Sequence, residues 1–310
     1  MTPSATTERL GDFEERGCPT CGSRDESSIF AEQRLDVSSL DEHAFASRKR
    51  PEQMRLRLVN CPRCDLVYAS PTPSPEALAA AYGAAAFDSA EEAGYAARSY
   101  AEQLGALLDA LPDRRGALDI GTGEGAFLTE LLKLGFTDVA GVEPSAAPIA
   151  AADPVIAGLI EHGVFRADIR PPGSLSLVTC FQTIEHVPDP AQLVSEAAAL
   201  LKPGGILALV CHDRRAPLNR ALGLRSPIVD VEHMQLFSRR SVAELLRCGG
   251  LEGIGYRPIQ NRYPVRYWVR LAPLPQRLYS AVSRAVEGSG LGGRPLTVSV
   301  GNLLAWGVRG

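Results

Sequence analysis

Apolar and polar positions change their period along the chain. From Arg115 onward, continuous apolar runs at 117–120, 139–143, 175–181 and 205–211 alternate with helical stretches. The helices are expected over 125–134, briefly after Pro144, and over 191–201. Short runs without internal alternation suit strands buried on both faces, and their alternation with helices specifies a doubly wound, mostly parallel sheet. Lys202-Pro203-Gly204-Gly205 ends the last of these helices and turns the chain into a strand. A further helix is expected over 240–248, a strand near 251–259 after Gly249-Gly250, and a terminal strand over 302–308.

Ahead of Arg115 the texture differs. Met54-Arg55-Leu56-Arg57-Leu58-Val59 alternates with period two, the signature of a strand with one buried face. The proline-rich run from Ser70 to Pro75 marks a boundary, and Ser74-Pro75-Glu76 starts a helix with proline at its first position. An alanine-rich helical region carrying Tyr82, Tyr95 and Tyr100 follows to about Leu111. The expected organisation is a small module over 1–70, a helical linker or lid over 71–114, and an α/β domain over 115–310. Within the last, the basic and aromatic segment 262–298 reads as a substrate-side insertion.

With 45% hydrophobic and 22% charged residues among 310, the chain has an ordinary globular composition and room for a large core. The net charge of -4 argues against a dedicated nucleic-acid binder, while leaving room for a local basic patch. No run approaches the roughly 18 apolar residues of a membrane helix. Residues 1–17 lack the apolar centre of a signal peptide, which predicts a cytoplasmic protein with reduced thiols.

Reduced thiols turn the cysteines into ligands or core residues. Cys18-Pro19-Thr20-Cys21-Gly22 and Cys61-Pro62-Arg63-Cys64 are two CxxC knuckles, and two such knuckles make a closed tetrahedral shell for zinc. With no open position the metal would be structural, holding a zinc-ribbon-like segment too small to fold on its own core. Cys180, Cys211 and Cys248 sit in apolar settings and read as core residues.

The strongest motif is Ala117-Leu118-Asp119-Ile120-Gly121-Thr122-Gly123-Glu124-Gly125, a buried strand ending in a glycine turn that opens a helix. Such a turn lets backbone approach a ligand, and the next strand ends at Glu143, where a carboxylate can take both hydroxyls of a ribose. Gly121-x-Gly123-x-x-Ala126 also satisfies a relaxed dinucleotide fingerprint. Asp119 separates the two readings, because its charge repels a pyrophosphate but attracts the ammonium of a methionine moiety.

Taken with Gln182-Thr183-Ile184-Glu185-His186-Val187-Pro188-Asp189-Pro190, Leu200-Leu201-Lys202-Pro203-Gly204-Gly205 and Glu232-His233-Met234-Gln235-Leu236-Phe237-Ser238, these motifs run in one order over about 115–260. The sequence resembles the class I methyltransferases there. The resemblance implies a Rossmann-like fold, S-adenosylmethionine as cofactor, Gly121, Gly123 and Gly125 packed under it, and Glu143 on its ribose. It also implies that 180–182, ending at Gln182, flank the methionine. Leu175-Ser176 stands where the family has Phe-Asp. For the adenine-side acid Asp168 is the nearest candidate, although Val164 or Phe165 lies closer to the usual spacing.

Methyl transfer aligns a nucleophile and often removes its proton, for which histidine is the usual base. His186, with its neighbour Glu185, and His233 fall at the carboxyl edge of the sheet and are the catalytic candidates, with His212 behind them. Glu185-His186 has an alternative role as a brace for its loop. His43 and His162 read as solvated or metal-adjacent. The three tyrosines belong to a region that often forms a lid, or else to the core. Arg262, Arg266 and Arg270, interleaved with Tyr263, Tyr267 and Trp268, offer an acceptor wall whose guanidiniums suit phosphate or carboxylate.

The expected function is methyl transfer to oxygen or carbon of a sugar-like or other secondary metabolite. A zinc module ahead of this domain is similar to that of deoxysugar C-methyltransferases acting on nucleotide-linked sugars. The same pairing resembles ribosomal-RNA guanine methyltransferases, with Arg48-Lys49-Arg50, Arg55 and Arg57 as phosphate contacts. A non-catalytic zinc- and nucleotide-binding protein is the reading from another class, and a nicotinamide oxidoreductase is disfavoured by Asp119.

Overall fold

A computed structural model describes residues 13–25, 28–36, 54–83, 90–272 and 274–310. His43 and Arg48-Lys49-Arg50 lie outside the described residues.

The strands are β1 (Phe13–Glu14), β2 (Ser28–Ala31), β3 (Leu58–Asn60), β4 (Val67–Ala69), β5 (Thr72–Pro73), β6 (Ala117–Ile120), β7 (Val139–Glu143) and β8 (Ile160–His162). They continue with β9 (Leu175–Phe181), β10 (Leu201–His212), β11 (Gln235–Leu236), β12 (Glu252–Pro264) and β13 (Pro295–Val308). The helices are α1 (Pro75–Gly83), α2 (Ala90–Leu108), α3 (Ala126–Lys133), α4 (Ala146–Ala151), α5 (Pro154–Ala157) and α6 (Pro190–Leu200). After them come α7 (Pro217–Leu222), α8 (Arg239–Cys248), α9 (Val265–Leu271) and α10 (Gln276–Gly288).

The central sheet has the order β12-β13-β10-β9-β6-β7-β8. Strands β8, β7, β6, β9 and β10 are parallel, and β13 and β12 add antiparallel at one edge. Because the chain winds from β6 towards β8 and then returns to β9, the order reverses between β6 and β9. That switch point opens a crevice at the carboxyl ends of the strands. Strands β6, β7 and β9 are buried at nearly every position, as their unbroken apolar runs require.

Helix ends obey local chemistry. Asp189 caps α6 by accepting from the Gln192 N–H, with Pro190 at the first position. Gly125 caps α3 at φ +76°, and an added Cβ there would meet Ile156 at 2.3 Å. One face of the sheet packs Leu118, Val178, Cys180 and Leu209 against α6 and α8. The other packs Ala117, Leu177 and Ala208 against Tyr100 and Leu104 of α2 and Phe127 and Leu131 of α3.

Several boundaries differ from the expected ones. β10 begins at Leu201, and the Lys202–Gly205 turn is absorbed as a register shift between Leu201 and Ile206. β12 and β13 run on as a long ribbon to Pro264 and Pro295, so the expected insertion consists of α9 and α10 at the ribbon's tip. β8 carries no apolar run because it is a half-exposed edge strand. Met54, Leu56 and Leu58 are buried in alternation, yet the regular strand is only Leu58–Asn60, with Arg34 and Arg55 joined by an isolated bridge. Cys180 and Cys211 are core residues, but Cys248, at the last turn of α8, is exposed.

The amino-terminal segment is built into the whole. β11 completes the sheet β11-β4-β3-β2, pairing Gln235 with Tyr68 and Leu236 with Val67. The sheet thus crosses the boundary expected at residue 70.

Candidate active site

Asp119, next to last in β6, is almost fully buried and accepts from Thr179 Oγ1 at 2.6 Å. Burial pushes its carboxyl up to about 6. Glu143, at the end of β7, accepts from the backbone N–H of Gly123 and of Ser145, both at 2.9 Å. Burial raises it as well, against the pull of those two N–H groups. The turn itself is fixed by glycine. Gly121 has φ +73° and its Cβ would lie 2.3 Å from Thr183 Oγ1, whereas Gly123 has φ +59° and nothing within 4 Å of its Cβ position. Gly123 therefore faces open space, while Gly121 and Gly125 are glycines for packing.

A cavity of about 1220 Å³ spreads from this turn across the carboxyl edge. That exceeds what one drug-sized ligand needs and suits two molecules side by side. Asp119, Gly121, Gly123, Glu143 and Gln182 line it; Gly125 and Asp168 do not. Asp168 stands exposed and paired with Arg166 at 3.0 Å, away from the cavity, whereas Val164 and Phe165 line it. Gln182 has φ +53°, unusual for a side chain of its size, and its Nε2 is buried with no hydrogen-bond partner among the described residues. A strained backbone aiming an unsatisfied amide into a crevice fits a bound ligand there.

Three histidines meet on the far side. The ring centroids of His186 and His233 are 4.9 Å apart, and those of His212 and His233 are 5.3 Å apart. His186 Nδ1 donates to the Glu232 carbonyl at 3.0 Å, and His233 Nδ1 to the Ile228 carbonyl at 2.9 Å. A carbonyl only accepts, so in the neutral rings Nε2 carries the lone pair. Glu185 does not line the cavity; it is wholly buried, accepts from the His212 N–H at 2.7 Å, and its carbonyl takes the Met234 N–H at 2.9 Å. Burial pushes it up to about 7. Glu185 thus ties its own turn to the end of β10 and to the loop before β11.

The remaining candidates divide. Tyr82 and Tyr100 line the cavity, Tyr82 donating to the Glu232 carbonyl at 2.8 Å, while Tyr95 lies under the Arg98 guanidinium outside it. His162 is exposed, its ring beside the Pro144 carbonyl. Tyr263, Tyr267 and Trp268 form an aromatic cluster on the cavity wall. The arginine wall is largely neutralised, since Arg266 pairs with Glu91, Arg270 with Glu92, and Arg262 is exposed outside the cavity.

A family model described as a methyltransferase domain matches residues 93–254, more than half of the chain. The chain belongs to that family. It is a class I, S-adenosylmethionine-dependent methyltransferase. It is 29% identical over 168 residues to a ubiquinone biosynthesis O-methyltransferase of Ralstonia nicotianae, and 31% identical over 173 residues to the one of Methylococcus capsulatus. Each alignment covers 48% of this chain and 70% of the relative. Among solved structures, a methyltransferase of Thermotoga maritima is similar at 21% identity and a TM-score of 0.47, over 70% of this chain and 91% of that one.

The methyltransferase's four knuckle cysteines converge. All four Sγ atoms lie within 4.8 Å of one another, with Cys18–Cys64 at 3.4 Å and Cys21–Cys61 at 3.6 Å. Zinc at about 2.3 Å from each sulfur would set them about 3.8 Å apart, so the donor set fits. In both knuckles the residue after the second cysteine is left-handed, Gly22 at φ +68° and Asp65 at φ +64°.

Three arginines that pattern reading passed over fasten this centre to the enzyme. Arg214 Nε donates to the Asp65 carbonyl at 3.1 Å, and Arg215 Nε to its carboxylate at 3.1 Å. Arg16 donates to the carbonyls of Ala69, Pro188 and Met234. An isolated charge beside a motif is too common to stand out in a sequence. Arg55 and Arg57 donate to the carbonyls of Glu32 and Ser70, which engages them within the module.

Proposed function

We propose that this methyltransferase transfers a methyl group to a hydroxyl oxygen of an uncharged, partly aromatic small molecule. The observation that carries this reading is one cavity with a nucleoside end and a proton-accepting end. At the first stand Asp119, Glu143 and Gln182; at the second, three histidines whose Nδ1 positions are hydrogen-bonded. Bound S-adenosylmethionine supplies an electrophilic methyl group. Asp119 would hold its ammonium, Glu143 its ribose hydroxyls and Gln182 its methionine end. A hydroxyl acceptor needs a base to take its proton, and the names of the relatives agree with oxygen as the target.

The neutralised arginines favour an uncharged acceptor over phosphate-bearing sugars or RNA. The cysteine centre is proposed to hold one structural zinc, because a closed four-thiolate shell leaves no open coordination position. Incubation with S-adenosylmethionine and a panel of phenols, polyols and RNA tests the reading. Mass spectrometry should find O-methylated small molecules; product methylated at carbon or on RNA would overturn it.

A further inference from the structure

Behind the cavity wall runs a buried chain of polar side chains. Asn302 of β13 sits directly opposite His212 in the sheet register, and His212 Nδ1 meets Asn302 Oδ1 at 2.8 Å. Asn302 Nδ2 donates to Asn261 Oδ1 at 2.9 Å, and Asn261 Nδ2 donates to the Tyr263 hydroxyl at 3.4 Å. Asn302 is 4% exposed and Asn261 2%. Two asparagines in the middle of strands are poor strand formers, and burying their amides is costly unless each is hydrogen-bonded. Their partners are one another, His212 and Tyr263, so packing alone gives no reason for them.

With the two amides in this orientation, the chain places a proton on the imidazole. Since Asn302 spends its amide hydrogens on Asn261, its oxygen faces the imidazole as an acceptor. Nδ1 of His212 therefore carries the hydrogen and Nε2 the lone pair. His186 and His233 are held instead by backbone carbonyls, as loop braces are. Resting on the reading above, we propose that His212 is the general base for the acceptor hydroxyl, with Asn302 and Asn261 as positioning residues that hold its tautomer. The hydroxyl proton passes to His212 Nε2 as the oxygen forms its bond to the methyl carbon. The carbon–sulfur electron pair returns to sulfur, and the imidazolium later releases the proton to solvent through the cavity. Burial pushes His212 below the usual histidine range, against the opposing pull of Asn302, so it is neutral and ready at neutral pH.

Nitrogen-15 NMR of the S-adenosylhomocysteine complex tests the tautomer directly, with His212→Gln assigning the signal. A protonated Nδ1 and bare Nε2 are expected, and Asn302→Leu should mix the two forms. His212→Gln should lower kcat by about 10²–10⁴-fold with affinity for S-adenosylhomocysteine unchanged. Asn302→Asp should move the acid limb of the kcat–pH profile upward, because a carboxylate on Nδ1 stabilises the imidazolium. The other titrating groups around the ring are the same in both proteins: Glu185 on its backbone N–H, His233 on its edge, and Asp213 paired with Arg239. Tyr263, Asp230, Glu232 and Arg225 line the same cavity. A hydrogen on Nε2, or wild-type kcat in His212→Gln, would overturn the inference. If His212→Gln does not fold, the wild-type spectrum and the Asn302→Asp profile decide. Failure to find any hydroxyl acceptor would instead remove the broader reading and leave the tautomer standing.

Discussion

Glycines of the cofactor turn that look interchangeable in the motif differ in what surrounds them. Gly123→Ala adds a methyl in open space at a left-handed φ, which costs about 1–2 kcal/mol of backbone strain but no collision. It should fold, melt slightly lower, and lose S-adenosylhomocysteine binding by calorimetry. Gly121→Ala collides with Thr183 and should lower the melting temperature further. Asp119 brings a pH signature. Its folded pKa is raised from 3.8 to about 6, so ionising it costs the free protein on the order of 3 kcal/mol. That cost is absent below pH 4 and grows as pH rises to about 6, and a bound ammonium offsets it. Affinity for S-adenosylhomocysteine should therefore fall as pH drops below about 6, and Asp119→Asn should flatten that dependence while weakening binding throughout.

Among the elements, α9 and α10 stand at the tip of the β12–β13 ribbon, inside the segment expected to face the substrate. Arg266 and Arg270 looked like anion binders; α2 answers them with Glu91 and Glu92, acids that sequence separates by some 175 positions from Arg266. Partly exposed pairs contribute about 1 kcal/mol or less to folding. Glu91→Gln combined with Glu92→Gln should barely change the melting temperature. Acceptor KM should rise, because the pairs set where Tyr267 and Trp268 stand. Equal KM in this double variant and the parent would deny the insertion a part in acceptor binding.

In the whole molecule the cysteine centre and the histidine cluster share structure. Asp65 grips Arg214 and Arg215, two and three residues after His212, and β11 carries Gln235 two residues after His233. Purified protein should contain one zinc per chain by atomic emission. Chelation, or Cys61→Ser, should lower the melting temperature and kcat together while S-adenosylhomocysteine still binds, since the glycine turn is tied directly to Glu143 through the Gly123 N–H. Loss of cofactor binding on chelation would contradict that division. The sequence by itself determined the parallel strands, the glycine turn with Asp119 and Glu143, and the two CxxC knuckles, because each is written in contiguous residues whose period or spacing has one physical use. Tertiary structure alone decided that Asp168 stands outside the cavity, that Glu185 is buried behind its wall, and that Asn261 and Asn302 stand behind His212. Those outcomes depend on which side chains meet across distant strands, and local pattern carries no record of a partner far along the chain.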